Sequence, residues 1–216
     1  MQAWYDSVAI PPVATGSTIS LTQSNKLATT GATSLSVSLA GVTVGHLLIA
    51  YWRIHSNSVP IPTIATTAGT TSAWTSDLSY TTTFTNGTLG LSHATASSTS
   101  VTVQSSWGPS ADAVLVIYEC AGQAATPFDA ALSSSTSPTN TLTTPSLTPA
   151  GANEFFVAGC DIGFVTGVNA PFTYDTNNPS NGGTAHYQAA DALAHSATFV
   201  ITSGPYNMGA IIGAYK

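Results

Sequence analysis

Two strand-like runs in this chain end in an acid beside a thiol. VLVIYECAG (114–122) places Glu119 next to Cys120, and EFFVAGCDI (154–162) places Cys160 next to Asp161. The chain has only two cysteines and nine acids, so the coincidence raises several chemistries. A Cys120–Cys160 disulfide would suit an extracellular or virion-surface protein, provided the Cα atoms come within about 7 Å. Both thiols stand near the C-terminal ends of their strands. Antiparallel neighbours would hold those ends roughly 15–20 Å apart, so a bridge needs parallel strands or strands facing each other across a sandwich. The alternative, and the favoured reading, is two buried free thiols acting as small hydrophobes. A nucleophilic cysteine needs a base in reach, and no sequence pattern supplies one. Glu119 and Asp161 could form a glycosidase pair if they converged to about 5–5.5 Å. The clustered E-x-D-x-x-E pattern of jelly-roll glycosidases is missing, however. Arg53, the only arginine, ends an apolar strand and needs carboxylates or carbonyls. A structural ion pair among Arg53, Glu119 and Asp161 is therefore favoured over catalysis.

The five histidines, at 46, 55, 93, 186 and 195, show neither H-x-H nor H-E-x-x-H spacing, and no Cys/His metal pattern occurs. His93 lies on an alternating strand and is expected to face solvent. DTNNPSNGG (175–183) carries oxygen ligands of the kind calcium takes but lacks the closing acid of an EF-hand, so a turn-rich loop is expected. Asn86-Gly-Thr88 matches a glycosylation acceptor. Trp74 and Trp107 fall near turns and are candidates for a sugar-stacking platform, against the commoner fate of aromatics as core. No catalytic residue, cofactor or metal is assigned.

The bulk composition limits the partners. Charged residues make up 6% and hydrophobic residues 43% of 216 residues, against roughly 25% charged in an average domain. Ser and Thr fill the gap. With three Lys+Arg and a net charge of −6, there is no basic patch for nucleic acid. The opening residues contain no basic-then-apolar export signal. No apolar run approaches the ~18–20 residues of a membrane helix, so no membrane association is expected.

The positioning elements are strands. TSLSVSL (33–39), TLGLSHA (88–94) and SVTVQSSW (100–107) alternate, each predicting one buried and one wet face. Turn signals punctuate them at Pro60, Pro62, Asn86-Gly87, Gly108-Pro109, Pro145, Pro149 and Gly204-Pro205. Four runs are apolar throughout: HLLIAYWRI (46–54), AVLVIYEC (113–120), EFFVAGCDI (154–162) and MGAIIGAY (208–215). They predict central strands whose outer faces are covered by long loops or by another subunit. Ser38–Ile54 and Ser146–Ile162 align at an offset of 108, and 108–119 aligns with 204–215 at an offset of 96. Either the chain is duplicated, as in a jelly roll of two Greek keys, or two pairs of central strands obey the same physics. Residues 1–16 form a distinct arm, in which Pro11-Pro12 favours extended chain. Its Trp4, Tyr5 and Ile10 are candidates for anchoring to the domain itself or to a partner.

The order of G-x-LLIAYW, a TTAG-like turn followed by Trp74, SVTVQSSW, VLVIYECAG, PFDAA (127–131) and a final GAIIGAY resembles β-sandwich domains of phage virion proteins and bacterial surface proteins. The resemblance spans about residues 33–216. It implies a jelly-roll-like sandwich with a structural or binding role and brings no catalytic residues. Cys120 departs from it, since a small residue is usual there. The expectation is thus an all-β, jelly-roll-like antiparallel β-sandwich over residues 17–216, preceded by the extended arm. Functionally it would be a non-enzymatic virion structural protein: a capsid decoration, head-fibre or tail-associated protein that contacts other virion proteins. Its arm and apolar sheet faces would drive homo-oligomerisation, with a trimer as one form. The alternatives are a carbohydrate-binding or adhesin domain, extracellular or on a cell surface and recognising a host glycan, and then a jelly-roll glycoside hydrolase.

Overall fold

A computed structural model describes residues 18–55, 61–82, 87–161, 164–175, 182–202 and 206–216. The arm residues Trp4, Tyr5 and Ile10, most of the 175–183 loop, and Asn86 lie outside them. The described chain is all-β and antiparallel. Its strands are β1 Ser20–Ala40, β2 Leu47–His55, β3 Thr63–Ala68, β4 Thr75–Thr81, β5 Gly87–Thr95, β6 Ser100–Ala121 and β7 Phe128–Thr139. They continue with β8 Thr141–Thr143, β9 Phe155–Asp161, β10 Val165–Val168, β11 Thr173–Tyr174, β12 Gly183–Gln188, β13 Thr198–Ile201 and β14 Tyr206–Tyr215.

The strand orders reveal an internal duplication. One inner sheet runs β1-β6-β2-β5-β4 and the other runs β7-β14-β9-β12-β11, which is the same order in the same chain sequence. Each inner sheet carries an outer three-stranded layer. In the second half that layer is β10-β13-β8. In the first half it is β3 with the N-terminal part of β6 and the C-terminal part of β1. The first half makes both layers from two long, continuous strands. Register shifts between Thr29, Ala32 and Ser34 let the β1–β6 ribbon change layers there. The second half breaks the corresponding strands into β7/β8 and β13/β14. An all-β antiparallel sandwich is therefore what the chain adopts, as two topologically equivalent sandwiches set inner sheet against inner sheet.

Three cores separate these layers. Leu48, Ala50, Trp52, Ala113, Leu115 and Ile117 pack outward against Val37, Val101 and Val103. Phe156, Ala158, Cys160, Ala210 and Ile212 do the same against Leu142 and Phe199. Between the inner sheets lie Leu47, Ile49, Tyr51, Val116, Tyr118, Phe155, Val157, Ile211 and Tyr215. This explains the four apolar runs: β2, the end of β6, β9 and β14 each serve two cores at once. It also corrects the expectation that a partner subunit covers them. Their outer faces are covered by the chain's own outer layers and are not free for assembly. TLGLSHA is corrected likewise, because Thr88 and Ser92 are buried along with the apolar residues of β5.

The register refines the repeat. Leu47 of β2 pairs with Cys120, and Phe155 of β9, which lies 108 residues beyond Leu47, pairs with Tyr215. The β6–β14 equivalence is therefore an offset of 95, one less than the sequence alignment gave. A one-residue slip would move every side chain to the opposite face. At 95, Val116 corresponds to Ile211, and both lie in the central core.

Candidate functional site

The equivalent strands β2 and β9 face each other across the central core and run in the same direction. Tyr51 lies against Gly159, where an added Cβ would fall 2.0 Å from the tyrosine ring. Two residues further along, Arg53 Nε donates to Asp161 Oδ1 at 2.6 Å, with both side chains fully buried. Tyr51 and Gly159, like Arg53 and Asp161, are separated by 108 residues. The duplication thus places one arginine and one aspartate at equivalent positions and joins them. His55 Nδ1 lies 3.2 Å from the same Asp161 oxygen. Gly87 keeps the space beside that carboxylate open, since a Cβ there would overlap it.

Glu119 is not part of this pair, contrary to the grouping suggested by sequence. It stands opposite Leu48 on β2, while Arg53 stands opposite Val114. Five residues of strand therefore separate it from Asp161's partner, about 17 Å. Glu119 instead receives Thr43 N–H at 2.9 Å and Gln23 Nε2 at 2.6 Å, and meets His46 Nδ1 at 2.7 Å. Burial opposes its ionisation, but the hydrogen bonds from Thr43, Gln23 and His46 outweigh that and lower its pKa. The two acids do not converge as a glycosidase pair.

The cysteines are free and buried. Cys120 points into the central core and Cys160 into the second outer core. They also stand at opposite ends of the β2–β9 contact, so no bridge can form between them. Burial pushes the Cys160 thiol up to about 12 and raises that of Cys120 further, which leaves both as inert thiols.

Sequence reasoning missed two matching relays. His93 Nδ1 lies 2.7 Å from Asp77 Oδ1, and Tyr215 donates to the other oxygen, Oδ2, at 2.9 Å. His186 Nδ1 lies 2.7 Å from Asp175 Oδ1, and Tyr118 donates to Oδ2 at 2.7 Å. His93 stands opposite Ile49, and His186 opposite the equivalent Val157. Each histidine–aspartate pair belongs to one inner sheet and each tyrosine to the other, so the relays tie the two halves together. Burial, then the neighbouring aspartate, raises both tyrosine pKa values well above 10. Each tyrosine therefore stays a neutral donor. His93 is thus internally engaged rather than solvent-facing. The available signal was a shared T-x-D: Thr75-Ser76-Asp77 before His93, and Thr173-Tyr174-Asp175 before His186. An aspartate behind an imidazole can also orient a general base. His186 borders an open groove of about 430 Å³, together with Phe155, Tyr187 and Gln188.

The two tryptophans proposed as a platform separate. Trp107 is 3% exposed and donates its indole N–H to Ala32 O, which makes it core. Trp74 is half-buried and borders a second groove of about 430 Å³ formed by β3 and the β3–β4 connection. The histidines and Lys216, by contrast, are each engaged by a carboxylate of the chain. Every histidine meets a carboxylate, and Lys216 meets Asp129 at 3.0 Å. Among the described residues no helix is long and apolar enough to cross a membrane. What the fold defines is an all-β antiparallel sandwich protein. No family model matches the chain, and neither does any curated protein or solved structure.

Proposed function

We propose that this chain is a non-enzymatic structural module of an exterior assembly, a virion in the first instance, that attaches to capsid or tail proteins through residues 1–16. The observation that carries this reading is the use of its scarce charge. Arg53 and all five histidines meet carboxylates of the same chain, and two of those contacts belong to the relays that fasten one half to the other. Such bracing suits a rigid part. Its strand surfaces carry Ser and Thr and so remain soluble without charge. The resemblance to phage virion and bacterial surface sandwiches points the same way, with an extracellular or cell-surface location as the alternative.

Because the apolar sheet faces are covered within the chain, oligomerisation falls to the arm and to exposed edges. Native mass spectrometry of the untagged chain, with and without residues 1–16, tests this. A defined homo-oligomer, such as a trimer, that loses its stoichiometry without the arm supports the proposal. A monomer in both forms overturns the assembly role.

A further inference from the structure

We propose that the groove formed by β3 and the β3–β4 connection is a binding site for a neutral saccharide, with Trp74 as its stacking surface. Saccharide sites combine an aromatic face for the C–H side of a sugar ring with hydrogen-bonding groups for its hydroxyls. Trp74 supplies the first. Part of it packs on the outer core of the first half alongside Ile64, and it also borders the groove. Its orientation is fixed, because its Nε1–H donates to Thr66 Oγ1 at 3.0 Å. Thr66 Oγ1 in turn lies 2.8 Å from Thr71 Oγ1. The indole is therefore held in place before any ligand arrives, which lowers the ordering cost of binding.

Thr70 and Thr71 supply the second requirement along the same rim, while the Ser72 hydroxyl is held by Thr95 N–H and Ala73 O. The groove is wide open to solvent, a shape that suits a polymer chain laid along it rather than an enclosed small ligand. Among the described residues, no ionisable side chain lines it. An acidic sugar would find no cation there, so the chemistry favours a neutral one. The tryptophan lies on an exposed connection rather than within a sheet, where a polymer chain could approach from either side. The proposal does not rest on the assembly reading, since its lining lies between Ile64 and Trp74.

Native affinity electrophoresis in gels containing amylose, xylan, galactomannan, β-1,3-glucan or hydroxyethylcellulose tests the proposal, with alginate and heparin as anionic comparisons. At least one neutral polymer should retard the protein. Trp74→Ala should weaken that binding by at least about tenfold, which corresponds to ~1.4 kcal/mol. Ala73→Arg, an exposed substitution on the same rim, should weaken it equally without touching the core, and decides the matter if Trp74→Ala unfolds. Retardation by none of the neutral polymers overturns the proposal. So does retardation only by the anionic ones, or binding that Ala73→Arg leaves unchanged.

Discussion

The Arg53–Asp161 pair offers the sharpest test of how the halves are joined. Both side chains are fully buried, and the contact is a single short hydrogen bond from Nε, at 2.6 Å. Among the described residues, Arg53 Nη1 and Nη2 are buried and find no hydrogen-bond partner. Its Nε bond neutralises Asp161. Arg53→Met keeps the aliphatic bulk and removes the charge. Asp161 is then left buried with His55 as its nearest cation source, and breaking a buried pair in this way costs about 3–5 kcal/mol. Asp161→Asn should cost a similar amount, because it strands the arginine. The double variant should lose at least ~2 kcal/mol less than the sum of the singles, since neither residual charge remains. Urea unfolding followed by circular dichroism reads this out. With a slope of about 1–3 kcal/mol per molar urea, each single variant should move the midpoint down by roughly 1–5 M. If Arg53→Met costs under ~1 kcal/mol, or if the two losses simply add, the pair is not what holds this end of β2 and β9 together, and the reasoning fails.

Three further outcomes follow from other contacts. Burial and the adjacent Asp129 push the Glu154 carboxyl up to about 7, so the folded state favours its neutral form. That contribution is complete below its unfolded pKa, near 4.5, and is lost as pH rises through about 7. Glu154→Gln should therefore flatten the stability loss between those values, and at pH 8 it should exceed wild type by on the order of 1 kcal/mol in urea unfolding. Tyr118→Phe and Tyr215→Phe should each cost about 1–2 kcal/mol by removing a donor from a relay carboxylate. Their effects should add in the double variant, because the relays lie on opposite sides of the β2–β9 contact. Both thiols should ignore a thiol reagent in the folded protein and react fully after denaturation, with an intact mass matching the reduced chain.

Much of the fold was legible because strand physics is local. Alternation in 33–39 and 100–107 marked strands with one wet face, and the burial of Leu35, Val37, Leu39, Val101 and Val103 follows it. The four uninterrupted apolar runs marked central strands, because only a strand covered on both sides can omit polar residues. Arg53 announced a carboxylate partner, because a guanidinium at the end of an apolar strand cannot stay unpaired.

What local pattern could not decide was which face meets which. Whether Glu119 or Asp161 answers Arg53 depends on β2 meeting β9 in parallel, which no single strand encodes. The covering of the apolar faces depends on the β1–β6 ribbon bending back over its own sheet. The relays need a histidine and an aspartate from one sheet and a tyrosine from the other, and those partners lie up to 138 residues apart. Residue type set the demand for burial and pairing in each strand; the packing of two equivalent sheets against each other chose the partners, because only that contact brings distant strand ends within hydrogen-bonding reach.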